Sequence, residues 1–401
     1  MNRLGFAYFQ EALSADWANL PQPALVRIFS FLCALDRCRV GGTCRNWWDS
    51  LDNPALWKTL KCGFFFPVHG HVLKCVELYG KFINDLTIVL NQSQSKNREN
   101  ALAIFSMLTQ LDHIRLKSIT VQFKGDNPLF YSGQEFIQAL SSLFMKMSLQ
   151  AYNHRSLRYL NFSEMQANLD ASFISHITIS SPQLEYLNIL NKMIVCQVPE
   201  CSIVDLVKKC TRLTELHLFY ESLSDEVFSM FSQPGRQPFR KLGIVCRRAD
   251  KYGIGISREA WTTLVSANPN LKVELGFDHT CPLFRISEIL MPGIPVQELY
   301  FATFTRIASE MELARLYFNE TLEVLVVNTK PDEEFEQALL ALARSCKKLS
   351  TLYIYGVLKK EVVEEVLSLL PNVKTKGSYI LRWEMDPEPW TVGEEDSDPE
   401  Y

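Results

Sequence analysis

The sequence predicts an α/β chain: a small all-helical head followed by a long array of βα units stacked as a solenoid. Three observations predict it. Residues 20–57 carry large apolar side chains at helical spacing. After residue 62 one short apolar pattern recurs at a nearly constant period. Amphipathic stretches of helix length fall between its copies.

The head reads LPQPALVRIFSFLCALDRCRVGGTCRNWWDSLDNPALW from Leu20. Leu25, Ile28, Phe29 and Leu32 form one helical stripe after the Leu20-Pro21 entry. Asp36 is placed to cap a second helix, with Trp47, Trp48 and Leu51 near its end. Asn53-Pro54 then reads as an N-cap followed by proline at the first helical position, opening a third short helix through Leu56 and Trp57. A segment this short cannot bury so many large apolar groups alone. Some of them are expected to face a partner.

The recurring unit is apolar-x-x-Leu-x-apolar. It runs as Ile83-Leu86-Ile88, Leu116-Ile119-Val121, Leu157-Leu160-Phe162, Leu184-Leu187-Ile189, Leu213-Leu216-Leu218, Phe239-Leu242-Ile244, Val296-Leu299-Phe301, Leu322-Leu325-Val327 and Leu349-Leu352-Ile354. An irregular copy lies at Leu271, Val273 and Leu275, and a degenerate last turn is expected after Val373. From Leu157 onward the starts are 25 to 32 residues apart, at the long end of the leucine-rich-repeat range. Helices are expected from Gly133, Arg258, Glu333 and Lys360, with Pro371-Asn372 ending the last. Strand and helix alternating at one period imply a horseshoe, parallel strands on the concave side and helices outside. The repeats are degenerate: the asparagine common at the ninth position, where it satisfies the turn, occurs only as Asn91. The expected domains are an N-terminal lead over 1–15, the helical head over 16–62, the solenoid over 63–385 and an acidic tail over 386–401.

Composition narrows the function. The net charge of −4 offers no basic face, so no nucleic-acid partner is expected. No run of apolar residues is long enough for a membrane span, and the N-terminus does not read as a signal peptide. Eleven cysteines in such a chain are expected to be free thiols in a reducing compartment. Cytoplasm is the expected location, with the nucleus also open to it. Cys62, His69, His71 and Cys75 are the one hint of a metal, but their spacing lacks a C-x-x-C knuckle, and neither metal nor cofactor is expected. No P-loop, G-x-S-x-G elbow or H-E-x-x-H occurs, so the chain is not expected to be an enzyme.

The head resembles an F-box. Leu20-Pro21, Leu25, Ile28-Phe29, Leu32, Asp36, Cys44-Arg45, Trp47 and Leu56-Trp57 fall at family positions. Arg37 departs from the usual leucine, and Gly41 and Gly42 stand where better helix formers are common, each costing about 1 kcal/mol against alanine. The segments GDNPLFYSGQEF from Gly125, SREAWTTLVSANPNLKVEL from Ser257 and DPEPW from Asp386 extend the resemblance to the F-box/leucine-rich-repeat family. That resemblance implies a substrate-recognition subunit of a Skp–cullin–F-box ubiquitin ligase, with the F-box on the Skp adaptor and cullin and its RING partner reached through it. The repeats would hold a protein substrate for ubiquitination and proteasomal degradation.

On this reading the adaptor-binding residues are Leu20, Pro21, Leu25, Ile28, Phe29, Leu32, Trp47 and Trp57. Alternation along each strand places a candidate substrate face on Tyr159, Asn161, Tyr186, Asn188, His217, Tyr300 and Tyr353. Two other functions fit the same residues: a Skp-binding scaffold without a role in ubiquitination, and a plain leucine-rich interaction solenoid whose helical front is only a cap.

Overall fold

The computed structural model describes residues 16–66, 70, 72–128, 131–150, 157–193, 197–248 and 255–383. The N-terminal lead, His69, His71, Cys196 and the acidic tail with Trp390 and Ser397 lie outside the described residues. The chain divides into two compact units, one up to Tyr131 and one from Ser132. The fold is α/β as expected: a helical head, then parallel strands alternating with helices.

The first unit opens with α1 (Gln22–Phe29), α2 (Ala34–Gly41) and α3 (Arg45–Ser50), then a single 3-10 turn over Pro54–Leu56. Pro21 precedes α1 and Pro23 sits in its first turn, where a missing N–H costs nothing. The cap of α2 differs from expectation. It is Cys33, whose Sγ lies 3.5 Å from the Asp36 N–H, while Asp36 sits one turn inside. The tryptophans follow a break at Gly42 and belong to α3 rather than to the end of α2. Asn53 does cap the short turn, its Oδ1 accepting from the Ala55 N–H at 2.9 Å.

Three parallel strands complete this unit: β1 (Thr59–Phe64), β2 (Asp85–Asn91) and β3 (Ser118–Lys124), with α4 (Val72–Tyr79) and α5 (Ser95–Thr109) between them. Their inward rows are Leu60, Leu86, Ile119 and Cys62, Ile88, Val121. Strand β1 is an unexpected repeat. Trp57-Leu60-Cys62 fits the unit, but tryptophan and cysteine hid it.

The second unit carries β4 (Tyr159–Glu164), β5 (Tyr186–Asn188), β6 (Glu215–Phe219), β7 (Lys241–Cys246), β8 (Lys272–Phe277), β9 (Val296–Phe301), β10 (Val324–Asn328), β11 (Thr351–Val357) and β12 (Tyr379–Arg382). They are parallel and in chain order. Helices α6 (Gln134–Ser148), α7 (Ala171–Ser180), α8 (Glu200–Lys209), α9 (Asp225–Phe231), α10 (Arg258–Ala267), α11 (Leu283–Ile289), α12 (Ala308–Phe318), α13 (Glu333–Ser345), α14 (Lys360–Leu369) and α15 (Pro371–Lys376) separate or follow them. The leucines of the motif fill one sheet face: Leu160, Leu187, Leu216 and Leu242 are paired across β4 to β7 and fully buried. Side chains of Asp170, Ser224, Ser257 and Asp332 cap α7, α9, α10 and α13, satisfying N–H groups that would otherwise be orphaned. Pro371 ends α14 but also opens α15, since its fixed φ suits a first helical position. Strand β12 is the degenerate last turn.

Register slips between β8 and β9 and again between β11 and β12, where Tyr353 pairs with Ile380 but Val357 with Arg382. Leu242 pairs with Val273 and Ile244 with Leu275, but a bulge between Val273 and Glu274 then sets Leu275 against Leu299. The irregular copy at Leu271 is therefore a strand that shifts every later row by one step.

One cysteine pair departs from the free-thiol expectation: the sulfurs of Cys38 and Cys75 are joined, with Cα atoms 6.7 Å apart. Cys62, Cys210, Cys246, Cys281 and Cys346 are buried and form no disulfide. Burial pushes the Cys210 thiol up to about 12 and that of Cys346 up to about 11, so both are packing groups rather than nucleophiles. Among the described residues no group of side chains is arranged to hold a metal, and no helix is long and apolar enough to cross a membrane.

Candidate functional site

Two surfaces carry the predicted residues. On the helical head, α1 is amphipathic across only eight residues, so its stripe splits in two. Leu25 and Phe29 are fully buried and Trp57 is 1% exposed, which corrects their assignment as partner contacts. They are the core on which the surface rests. Leu20, Leu32 and Trp47 are half-buried, Pro21 is exposed, and Ile28 is 41% exposed. The structure adds Phe31 at 74%, Trp17 at 60% and Trp48 at 49%. Phe31 was missed because α1 ends at Phe29, leaving Phe31 in the turn and off the stripe.

The entry segment is held by α3. Asn46 donates its amide to the Ala18 and Leu20 carbonyls at 2.9 and 3.0 Å, and the Trp47 indole N–H donates to the Trp17 carbonyl at 2.9 Å. Trp47 also meets Phe29 edge to face, with ring centroids 5.4 Å apart. Leu20 and Pro21 are thus presented by a fixed backbone.

Two of the departures from the F-box pattern, Arg37 and Gly41, have a packing reason. Arg37 donates from Nε to the Phe29 carbonyl at 3.0 Å, from Nη2 to the Ser30 carbonyl at 3.3 Å and from Nη1 to the Leu56 carbonyl. It satisfies the open end of α1 and ties it to the 3-10 turn over Pro54–Leu56. Half-burial lowers its pKa, partly offset by Cys33, and the group remains a cation. Gly41 is required by closeness: a Cβ there would stand 2.8 Å from Leu51 Cδ1 and 3.0 Å from Trp48 Cε3. Arg37→Leu is expected to cost about 1.5–3 kcal/mol, the range for hydrogen bonds to a charged group. Urea unfolding followed by tryptophan fluorescence checks it, and an unchanged midpoint would refute the tie.

The second surface is the open sheet face of the second unit. Tyr159 and Tyr186 stack with centroids 4.0 Å apart, and Tyr186 lies 5.6 Å from the His217 ring. His217 is only 5% exposed. Its Nε2 is 2.9 Å from Glu215 and its Nδ1 is 3.7 Å from Glu274. Lys241 bridges Glu274 at 3.3 Å and Glu298 at 3.0 Å, and the Tyr300 hydroxyl donates to Glu298 at 2.8 Å. Burial acts to raise the Glu298 pKa, but hydrogen bonds from Tyr300 and Lys241 outweigh it and hold it below the ordinary value. Lys241 is raised because its two carboxylates outweigh its burial. Burial raises both Tyr186 and Tyr300, the latter with help from Glu298, so neither phenol ionises near neutrality.

The face therefore links four of the seven predicted residues, Tyr159, Tyr186, His217 and Tyr300, through partners that alternation alone did not mark as functional. Glu274 was hidden because it comes from the irregular copy. The slip at β8 also moves Tyr300 out of the row of His217: it pairs with Gly276 on one side and Val326 on the other, and Val326 pairs with Tyr353. Asn161 and Asn188 serve the backbone, their Oδ1 atoms accepting from the N–H groups of Ser163 and Leu190 at 3.0 Å each. Side chains thus do at the strand exits what the ninth-position asparagine does elsewhere.

Comparison with known proteins agrees with this geometry. The F-box-like family profile matches residues 17–62. The chain is 25% identical to F-box/LRR-repeat protein 8 of Homo sapiens over 373 residues, covering 93% of this chain and 97% of that protein. It is 26% identical to F-box/LRR-repeat protein 21 of Bos taurus over 84% of this chain and 76% of the relative. F-box only protein 33 of Homo sapiens is 21% identical over 86% of this chain and 72% of the relative. The chain thus carries an F-box-like domain ahead of leucine-rich repeats.

Proposed function

We propose that this chain is a non-catalytic substrate receptor of a Skp–cullin–F-box ubiquitin ligase, working in the cytoplasm. The head docks the Skp adaptor through Leu20, Pro21, Ile28, Phe31, Leu32 and Trp47, and the adaptor brings cullin and its RING partner. The repeats hold a protein substrate on the open sheet face. The chain contributes proximity: a held substrate lysine meets the loaded ubiquitin carrier as if within one molecule. The observation that carries the reading is an exposed apolar surface, with Phe31 74% and Ile28 41% exposed, on a segment matching the F-box-like family. Large exposed apolar groups clustered on one module mark an interaction site.

Co-purification with the Skp adaptor tests it. Pro21→Ala, Ile28→Asp, Phe31→Asp changes only exposed side chains, so circular dichroism should be unaltered. Two apolar anchors lost at about 2 kcal/mol each, about 4 kcal/mol together, predict binding weakened by roughly 1,000-fold. A wild-type chain that does not bind the adaptor would end this reading.

A further inference from the structure

A cavity of about 380 Å³ opens in the first unit among α2, α3 and α4. Leu35, Trp48, Leu51, Trp57, Leu78 and Tyr79 supply its apolar walls, and the joined sulfur atoms of Cys38 and Cys75 lie beside them. Its charged lining residues are Arg39 and Lys74, and no carboxylate lines it among the described residues. Arg39 spends one nitrogen on Asp36 at 3.1 Å. Lys74 is exposed and forms no ion pair among the described residues. Asp52 acts on Tyr79 electrostatically but is not a lining residue.

We infer that this cavity is a binding site for an amphipathic carboxylate, its apolar body between Trp48, Trp57 and Leu78 and its carboxylate on Lys74 and Arg39. The volume falls in the range of small-molecule sites, which are apolar with a few polar groups that fix orientation. An apolar space holds water poorly, because water needs two or more polar partners. The two cations choose among apolar guests: a neutral chain gains nothing from them, a cationic one is repelled, and an anion gains charge-assisted hydrogen bonds from both. The site stands apart from substrate recognition by the repeats, and nothing in its argument depends on ubiquitin-ligase activity.

The full-length chain, alone and with the Skp adaptor bound, is titrated with decanoate, decanol and decyltrimethylammonium below their micelle concentrations. Tryptophan fluorescence reports binding, since Trp48 and Trp57 line the space. Decanoate is expected to bind at least tenfold more tightly than decanol, and the cation not at all. Lys74→Glu, a surface change, should weaken decanoate at least tenfold while leaving the melting curve unaltered. Leu35→Trp fills the cavity and should abolish binding; should that variant not fold, Lys74→Glu carries the test. Equal affinity for all three probes, or an unchanged decanoate affinity in Lys74→Glu, would overturn the site. Loss of decanoate binding in the adaptor complex would also overturn it, assigning the cavity to the protein partner.

Discussion

Trp57→Ala is expected to destabilise the first unit by about 3–5 kcal/mol, the usual cost of deleting a large buried aromatic side chain. The indole stacks on Tyr79 with centroids 4.4 Å apart and planes 10° from parallel. Its N–H donates to the Leu51 carbonyl at 2.6 Å, and the Arg37 guanidinium sits 5.8 Å from the ring. One side chain therefore joins α2, the turn after α3 and α4. Truncation opens a void and strands a buried carbonyl. Adaptor binding should fall as well, but through unfolding. Trp57→Phe keeps most of the packing and should retain adaptor affinity while losing about 1 kcal/mol with the Leu51 hydrogen bond. Urea unfolding beside adaptor titration separates the two effects. A Trp57→Ala chain as stable as wild type, yet unable to bind, would restore Trp57 to the interface.

The second large effect lies at Gly243. A Cβ built there would come 2.0 Å from His217 Nδ1 and 2.8 Å from its Cγ and Cε1. His217 occupies the space that glycine leaves, between Glu215 and Glu274. Gly243→Val must drive the imidazole out, and overpacking of this kind costs about 1–3 kcal/mol. The expelled ring also abandons Glu215 and uncovers the Tyr186 face. The strain depends on the histidine, so the same substitution in a His217→Ala background should cost much less. A double-mutant cycle by urea unfolding should show coupling well beyond about 0.5 kcal/mol, the scatter for independent sites. Additive effects would mean that His217 does not fill that space.

The head shows how far a one-dimensional pattern reaches. Helical spacing found Leu25, Ile28, Phe29 and Leu32 but could not say which faced inward. That depends on what packs against α1, and the answer comes from Trp47 and from Arg37, which reaches Leu56. Likewise Gly41 reads as a weak point in a helix. Only the approach of Leu51 and Trp48 turns it into a requirement.

The sequence by itself determined the repeat. Side chains two apart on a strand share a face, so apolar-x-x-Leu-x-apolar names the buried row wherever it occurs. Strand order, parallel pairing and the helices from Arg258, Glu333 and Lys360 follow from that period. Tertiary structure decided the neighbours across strands. The slip between Val273 and Glu274 moved Tyr300 out of the row of His217 and brought Glu298 beside Glu274, where Lys241 bridges the two. It also decided that Leu25, Phe29 and Trp57 lie inside while Phe31 lies outside. The physical reason is the same in each case. Periodicity is local and is written along the chain, whereas register and facing are set by contacts between residues far apart in it.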